Sequence, residues 1–318
     1  MRLAYLGPEG TFTHQAARTW TDTSTTGEPG AGTAEVVPVA DVTAVHDAVA
    51  DGTADLGVVA IESSVEGYVV PSLDALLGSA DVVAVDEVVL DVSFDAFVRP
   101  GHGELTEATA HPHGLAQCQG FVAAGGWRTV PAASNAAACR DVADHQVALG
   151  PRLCGELYGL ETYAEAVEDF SGARTRFLVL GRRAEARARL RARESAGAAS
   201  WRTMLAVTPV VTGPGVLARI THAFGGRGVN MSSLVTRPLK AREGQYVFVV
   251  TLDAAPWEPA VRELFGDLLD AGDALKVVGV YPAAPGEGGL DGPLADHVPT
   301  GSVRRGHDVA VVDAGLLW

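Results

Sequence analysis

What this chain has little of narrows its function before any motif is read. Cysteine occurs three times, at Cys118, Cys139 and Cys154, with no Cys-x-x-Cys pair. Neither a zinc knuckle nor a disulfide framework is indicated, and buried, reduced thiols are expected. No apolar stretch approaches the length of a membrane span, and the strand-like RLAYLG starts without the apolar core of a signal peptide. The expectation is a cytoplasmic protein with no membrane role. Positive charge is scarce: 24 Lys and Arg against 39 Asp and Glu leave a formal net charge of −15, which opposes general attraction to nucleic acid or anionic lipid. An anionic substrate would have to be held by a few placed groups. The early glycines also lack the Gly-Lys-Ser/Thr ending of a nucleotide-binding loop.

What is present is 318 residues with 47% hydrophobic content, enough for more than one domain. From residue 2 to 182, short β-like runs such as EVVPVA, DLGVVAI and RFLVLG alternate with helix-like segments. That order implies an α/β fold with mostly parallel, doubly covered sheets. The long run over 81–98 divides the segment into two lobes, with ligand expected in the cleft between strand ends. Residues 183–201, rich in Arg, Ala and Glu, read as a linker or a solvated helix. Residues 202–282 follow the order βαββαβ of a ferredoxin-like domain. The Gly- and Pro-rich residues 283–318 read as a disordered tail.

Five places carry chemistry. In YLGPEGTFTHQAA, residues 5–17, a strand turns into a helix whose start offers free N–H groups to a carboxylate, or is merely capped by Thr11 or Thr13. A strand then ends in Glu62-Ser63-Ser64; Glu62 follows Ala60-Ile61, surroundings that would favour its protonated form. His111-Pro112-His113 is an incomplete metal set, and its proline marks a turn, so no metal is expected; Gln117 follows on the next helix. Ser134-Asn135 stand where caps should, before an Ala-rich helix whose start would suit a dianion. Finally Thr175, between Arg174 and Arg176, opens an apolar strand. A threonine hydroxyl is a weak acid that needs neighbouring charge to assist a leaving group, which either arginine would supply. The plainer alternative is that a β-branched residue simply starts a strand.

Taken in order, GPEGTFTHQAA, IESSVEGYVVPSLD, HPHGLAQCQGF, SNAAA, LYGLE and ARTRF resemble the prephenate dehydratases, and GPGVLARI, RGVNMSSLVTRPLK and GQYVFVVTLD resemble an ACT regulatory domain. The resemblance spans residues 2–282. It implies a hydro-lyase that converts prephenate to phenylpyruvate, water and carbon dioxide without metal or organic cofactor. Its catalytic fold would be two-lobed, like a type II periplasmic binding protein. Thr175 would be the catalytic threonine, with Arg176 and Glu62 as further catalytic residues; Thr11, Ser63, Ser64, Gln117, Ser134, Asn135 and Phe177 would line the substrate cleft. L-phenylalanine would be the effector, held by Gly215, Val216, Leu217, Asn230, Thr236, Arg237 and Pro238, in a homodimer or homotetramer. Three departures bear on this. The family usually has Ile-Glu-Asn-Ser where this chain has Ile61-Glu62-Ser63-Ser64, a glutamate in the effector motif is replaced by Val235, and the asparagine that often precedes its Pro-Gly-Ala-Leu is Thr212. Non-aromatising decarboxylation of prephenate, arogenate as substrate, and a non-catalytic metabolite sensor are the competing readings; the retained hydroxyl of Thr175 counts against the last.

Overall fold

The computed structural model describes residues 1–22, 34–197, 200–239 and 246–283; the segment read as a tail lies outside them beyond Ala283. The first lobe is built from β1 (Arg2–Leu6), α1 (Phe12–Asp22), β2 (Glu35–Val39), α2 (Val42–Ala50), β3 (Leu56–Ser63), β4 (Gly67–Tyr68), α3 (Val70–Gly78) and β5 (Val82–Asp91). The chain then makes a second lobe of β6 (Asp95–Val98), β7 (Glu107–Ala110), α4 (Pro112–Gln117), α5 (Gln119–Gly125), β8 (Arg128–Pro131), α6 (Asn135–Arg140), β9 (Gln146–Gly150), α7 (Leu153–Tyr158) and β10 (Glu161–Ala164). It returns along β11 (Arg174–Arg182) into α8 (Arg183–Ser195). Each helix starts where local chemistry allows. Asp41 caps α2 by accepting the Ala44 N–H at 2.8 Å, and Pro71 occupies the first turn of α3, where its missing N–H costs nothing.

The mostly parallel sheets expected from the alternation are corrected by the topology. β2, β1 and β3 run parallel, but β11 is antiparallel to both β3 and β5. In the second sheet, β6 opposes β9 and β10. The cause is the path: the chain leaves the first lobe on β5 and comes back on β11, so the two must oppose each other. A strand buried on both faces is apolar in either direction, so its pattern carries no sign of polarity. The two crossovers are joined where the Val92 N–H donates to the Ala173 carbonyl at 2.7 Å.

Residues 201–282 fold as β12 (Trp201–Thr208), α9 (Val216–Gly226), β13 (Met231–Pro238), β14 (Tyr246–Leu252), α10 (Pro259–Asp270) and β15 (Ala274–Pro282), in sheet order β13-β14-β12-β15. One face packs Leu205, Val207 and Val250 against Phe224 of α9 and Leu264 of α10. The other carries Met204, Ala206, Val249 and Val278 into one core with Leu73 and Leu76 of α3 and Leu178 and Leu180 of β11. The helix-free face is therefore covered within the chain. The sheet also continues into the first lobe, because β15 meets β5 in parallel at Gly279 and Ala84. A Cβ on Gly279 would come 3.0 Å from that of Ala84, a tight approach that glycine avoids. The stretch read as a linker is mostly α8, which turns Ala186 and Leu190 inward and sends Arg193 to Asp86 at 2.8 Å. All three cysteines are buried, and burial pushes the Cys118 thiol up to about 12.

His46 of α2 lies within this first-lobe core, 5% exposed, with neither ring nitrogen bonded. Burial, above all, pushes its pKa down to about 4, against the opposing pull of Asp47. The unfolded chain thus binds a proton near pH 6.5 that the folded chain refuses until about pH 4. Stability from this group is complete above pH 6.5 and is lost as pH falls toward 4. Urea unfolding at pH 7 and pH 4.5 should show a decline on the order of 2 kcal/mol that a His46→Gln variant lacks.

Candidate functional site

The loop between β1 and α1 forms one wall of a cleft between the lobes. Gly10 sits at φ +83°, and a Cβ there would press on Cys154 and Tyr158 of α7 at 3.1 and 3.2 Å. The same helix holds the back of the loop: the Tyr158 hydroxyl donates to the Glu9 carbonyl at 2.6 Å and the Cys154 thiol to that of Gly10 at 3.3 Å. Thr11 caps α1, accepting the His14 N–H at 3.2 Å and donating to the Pro8 carbonyl at 3.1 Å. His14 Nδ1 accepts the Gly10 N–H at 3.0 Å, which leaves the ring proton on Nε2, and burial lowers its pKa.

Across the cleft, Ser134 caps α6 by accepting the Ala137 N–H at 2.9 Å, and Asn135 Oδ1 accepts the His111 N–H at 2.9 Å. A hollow of about 620 Å³ lies between these walls, and Thr11, Phe12, His111, Ser134, Asn135 and Arg140 all line it. Three of these, Thr11, Ser134 and Asn135, were read from the sequence. Arg140 and His111 were not assigned to the cleft, though Arg140 sits one turn beyond Ala137, which also lines it. Arg140 forms two hydrogen bonds to its neighbour Asp141, at 2.8 and 2.7 Å, and is half exposed. His111 has its pKa lowered by burial first and by His113 second. Its Nδ1 faces the His113 N–H, and among the described residues no cluster of three or more His, Cys, Asp or Glu could hold a metal. Two other hollows, of about 490 Å³ between α8 and Trp257 and about 720 Å³ between α1 and α7, gather none of these residues, and the interlobe cleft, where Thr11, Ser134 and Asn135 converge, is the candidate site.

Thr175 stands at the start of β11, opposite Ser63 on β3 and Leu90 on β5, on the same sheet edge as the end of β1. It is half-buried and is not among the residues lining the hollow. Its neighbours behave differently from the expectations. Period-2 alternation turns Phe177 and Val179 to the α1 face and Leu178 and Leu180 to the α3 face. Phe177 is therefore core, 1% exposed, and is not among the residues lining the hollow. Arg176, also 1% exposed, points the other way from Thr175. Its guanidinium lies 3.1 Å from Glu62 and 3.3 Å from Glu87 of β5. A bulge opposite Arg176 and Phe177, with Ile61 as the extra residue, brings Glu62 onto Arg176. Glu62 is thus an ion-pair partner of Arg176 and is not among the residues lining the hollow. Arg174 pairs with Asp91 at 3.3 Å.

Ser63 and Ser64 serve the backbone. Ser63 Oγ accepts the N–H groups of Val65 and Glu66, and Ser64 Oγ accepts that of Arg174 at 2.9 Å. Gln117 ends α4, and its carbonyl accepts the Asp169 N–H at 2.7 Å. In the C-terminal unit, Gly215 starts α9 at φ +87° and Asn230 bonds Asp253. Arg237 grips Asp74 of α3 with two bonds at 2.9 and 3.0 Å, while Thr236 and Pro238 are exposed on β13. Val235 packs half-buried against the core shared with α3.

No helix among the described residues is long and apolar enough to cross a membrane. The prephenate dehydratase family model matches residues 3–185. The prephenate dehydratase of Mycobacterium tuberculosis (strain ATCC 25618 / H37Rv) is 33% identical over 302 residues, covering 93% of this chain and 91% of that protein. The structure of prephenate dehydratase from Arthrobacter aurescens in complex with L-Phe superposes with a TM-score of 0.75 at 28% identity, over 92% of this chain and 94% of that one. GqqA, described as a novel type of quorum quenching acylase, superposes with a TM-score of 0.74 at 25% identity, over 90% and 99%. The fold alone is therefore shared between different stated activities, and it is the sequence match that decides. This chain belongs to the prephenate dehydratase family.

Proposed function

We propose that the protein converts prephenate to phenylpyruvate, carbon dioxide and water. The observation that carries this is Thr175, a hydroxyl at a strand end with no hydrogen bond among the described residues, in a Thr-Arg-Phe motif within a chain 33% identical to a prephenate dehydratase. In this reaction the bond from the ring to its carboxylate breaks and releases carbon dioxide. The electron pair closes the aromatic ring, and the ring hydroxyl departs with a proton to become water. The substrate supplies its own driving force, so the protein has only to orient it and assist the departing oxygen. Thr175 is the donor to that oxygen, and solvent restores its proton. The start of α1 and Arg140 receive the carboxylates, a substrate anion replacing Asp141 on the guanidinium. The lobes close about the two crossovers to carry the ring to Thr175.

Ser63 favours attention to a second outcome. Its hydroxyl is held as an acceptor in the β3–β4 turn, so it replaces neither N–H donor of the family's asparagine. Carbon dioxide released without an aromatic product would assign the chain to non-aromatising decarboxylation. The test incubates the purified chain with prephenate and, separately, with arogenate, reading phenylpyruvate by its absorbance in alkali and phenylalanine by chromatography. Phenylpyruvate from prephenate is the expected product; phenylalanine from arogenate alone would reassign the substrate.

The βαββαβ unit is read as an ACT domain, and residues 1–182, 183–201 and 202–282 as catalytic domain, connector and regulatory domain. Supporting this are the topology, the Gly215 start of α9 and the likeness to a structure holding L-Phe. L-phenylalanine inhibition should be weak. Val235 supplies no acceptor for the ligand's ammonium, a deficit of roughly 1–3 kcal/mol, or about ten- to a hundredfold in affinity. Titration of wild-type dehydratase activity checks this, and half-maximal inhibition at low micromolar phenylalanine would contradict it. With the helix-free face covered within the chain, the outer edge of β13 is what remains for a second copy. Light scattering at micromolar concentration should report at least a dimer.

A further inference from the structure

A buried chain of charges runs from the residue after Thr175 into the C-terminal sheet. Arg176 lies 3.3 Å from one oxygen of Glu87, and Arg202 of β12 lies 3.5 Å from the other. Arg202 continues to Asp253, after β14, at 3.6 Å. The Glu87 side chain is fully buried, and those of Arg176 and Arg202 are 2% and 7% exposed. In such low-dielectric surroundings one carboxylate bridging two guanidiniums couples their positions strongly. Arg176 in turn adjoins Thr175 through a shared peptide plane, so this bridge is a route by which β12 would act on the strand end.

A separate contact reaches the same place across the ladder. Tyr68 bonds Ser233 of β13 at 2.6 Å, and its neighbour Gly67 pairs with Ser63, which pairs with Thr175. The residue after Thr175 along the chain and the residue beside it on β3 are thus both tied to the C-terminal sheet.

We propose that Glu87 and Arg202 are positioning residues for Thr175, transmitting the placement of the C-terminal sheet to the strand end that presents the hydroxyl. The inference rests on the reading of Thr175 as donor. Its test compares Arg202→Met with Lys276→Met in the full chain. Lys276 also ties the C-terminal sheet to the first lobe, donating to the carbonyls of Leu76, Leu77 and Ser79 at the end of α3, but touches none of these charges. Three quantities are read: kcat and KM for prephenate, melting temperature, and amide exchange of residues 174–178 by mass spectrometry. Arg202→Met should lower kcat by about tenfold or more with KM within about twofold, and speed exchange at the start of β11 at least about tenfold. Lys276→Met should lower the melting temperature while leaving kcat and that exchange unchanged. Arg202→Lys, which keeps the charge, should recover part of kcat and carries the same comparison if Arg202→Met does not fold. Equal effects from the Arg202 and Lys276 variants, or wild-type kcat and exchange in Arg202→Met, would overturn the inference. If the wild type does not consume prephenate, the proposed function fails instead, and the exchange measurement alone decides the coupling.

Discussion

Thr175→Ala is expected to lower phenylpyruvate formation by about 10²-fold or more, the scale of losing a positioned proton donor. The fold should be untouched. Thr175 is half-buried at a strand end, its hydroxyl makes no hydrogen bond among the described residues, and alanine there removes little packing. The circular dichroism spectrum and urea midpoint should therefore match the wild type while kcat falls. Thr175→Ser should keep part of the activity: it retains the hydroxyl and loses only the methyl group that restricts its rotamers. Near wild-type turnover in Thr175→Ala would remove this residue from the mechanism.

Arg176→Met should act on stability first. Removing the guanidinium takes one cationic partner from the fully buried Glu87 and an ion pair from Glu62. Breaking a buried pair from one side costs about 3–5 kcal/mol, because a charge is left uncompensated in the interior. Urea unfolding of the variant should show a loss of that size. Arg176→Met combined with Glu87→Gln should be less destabilised than the sum of the two single variants, since the second change removes the stranded charge. A loss below about 1 kcal/mol for Arg176→Met would mean that water or another cation satisfies Glu87.

The order of elements was legible because it is written in local pattern. The apolar run of RFLVLG and the cap at Ser134 name a strand and a helix start without reference to anything distant. The βαββαβ order of 202–282 was legible for the same reason. The face a strand residue occupies was not. Thr-Arg-Phe reads as three neighbours, yet alternation sends Thr175 and Phe177 one way and Arg176 the other, and only the packing of the C-terminal sheet on α3 says what Arg176 meets. Charge partners far apart in sequence, such as Glu87 and Arg202 or Asp74 and Arg237, leave no local trace. The direction of β11 and the joint at Gly279 depend on the path of the chain. In the cleft, Thr11, Ser134 and Asn135 were found because the chemistry of a helix start is local. Arg140 and His111 were not assigned there because their presence depends on two lobes meeting.

The most direct measurement of the account is the molar ratio of phenylpyruvate to carbon dioxide from prephenate, with wild-type protein and Thr175→Ala side by side. Concerted decarboxylation and loss of hydroxide to an aromatic ring predicts a ratio of about one to one for the wild type, with both products falling together in the variant. Carbon dioxide in excess of phenylpyruvate in the wild type, or carbon dioxide release that persists in Thr175→Ala, would contradict it.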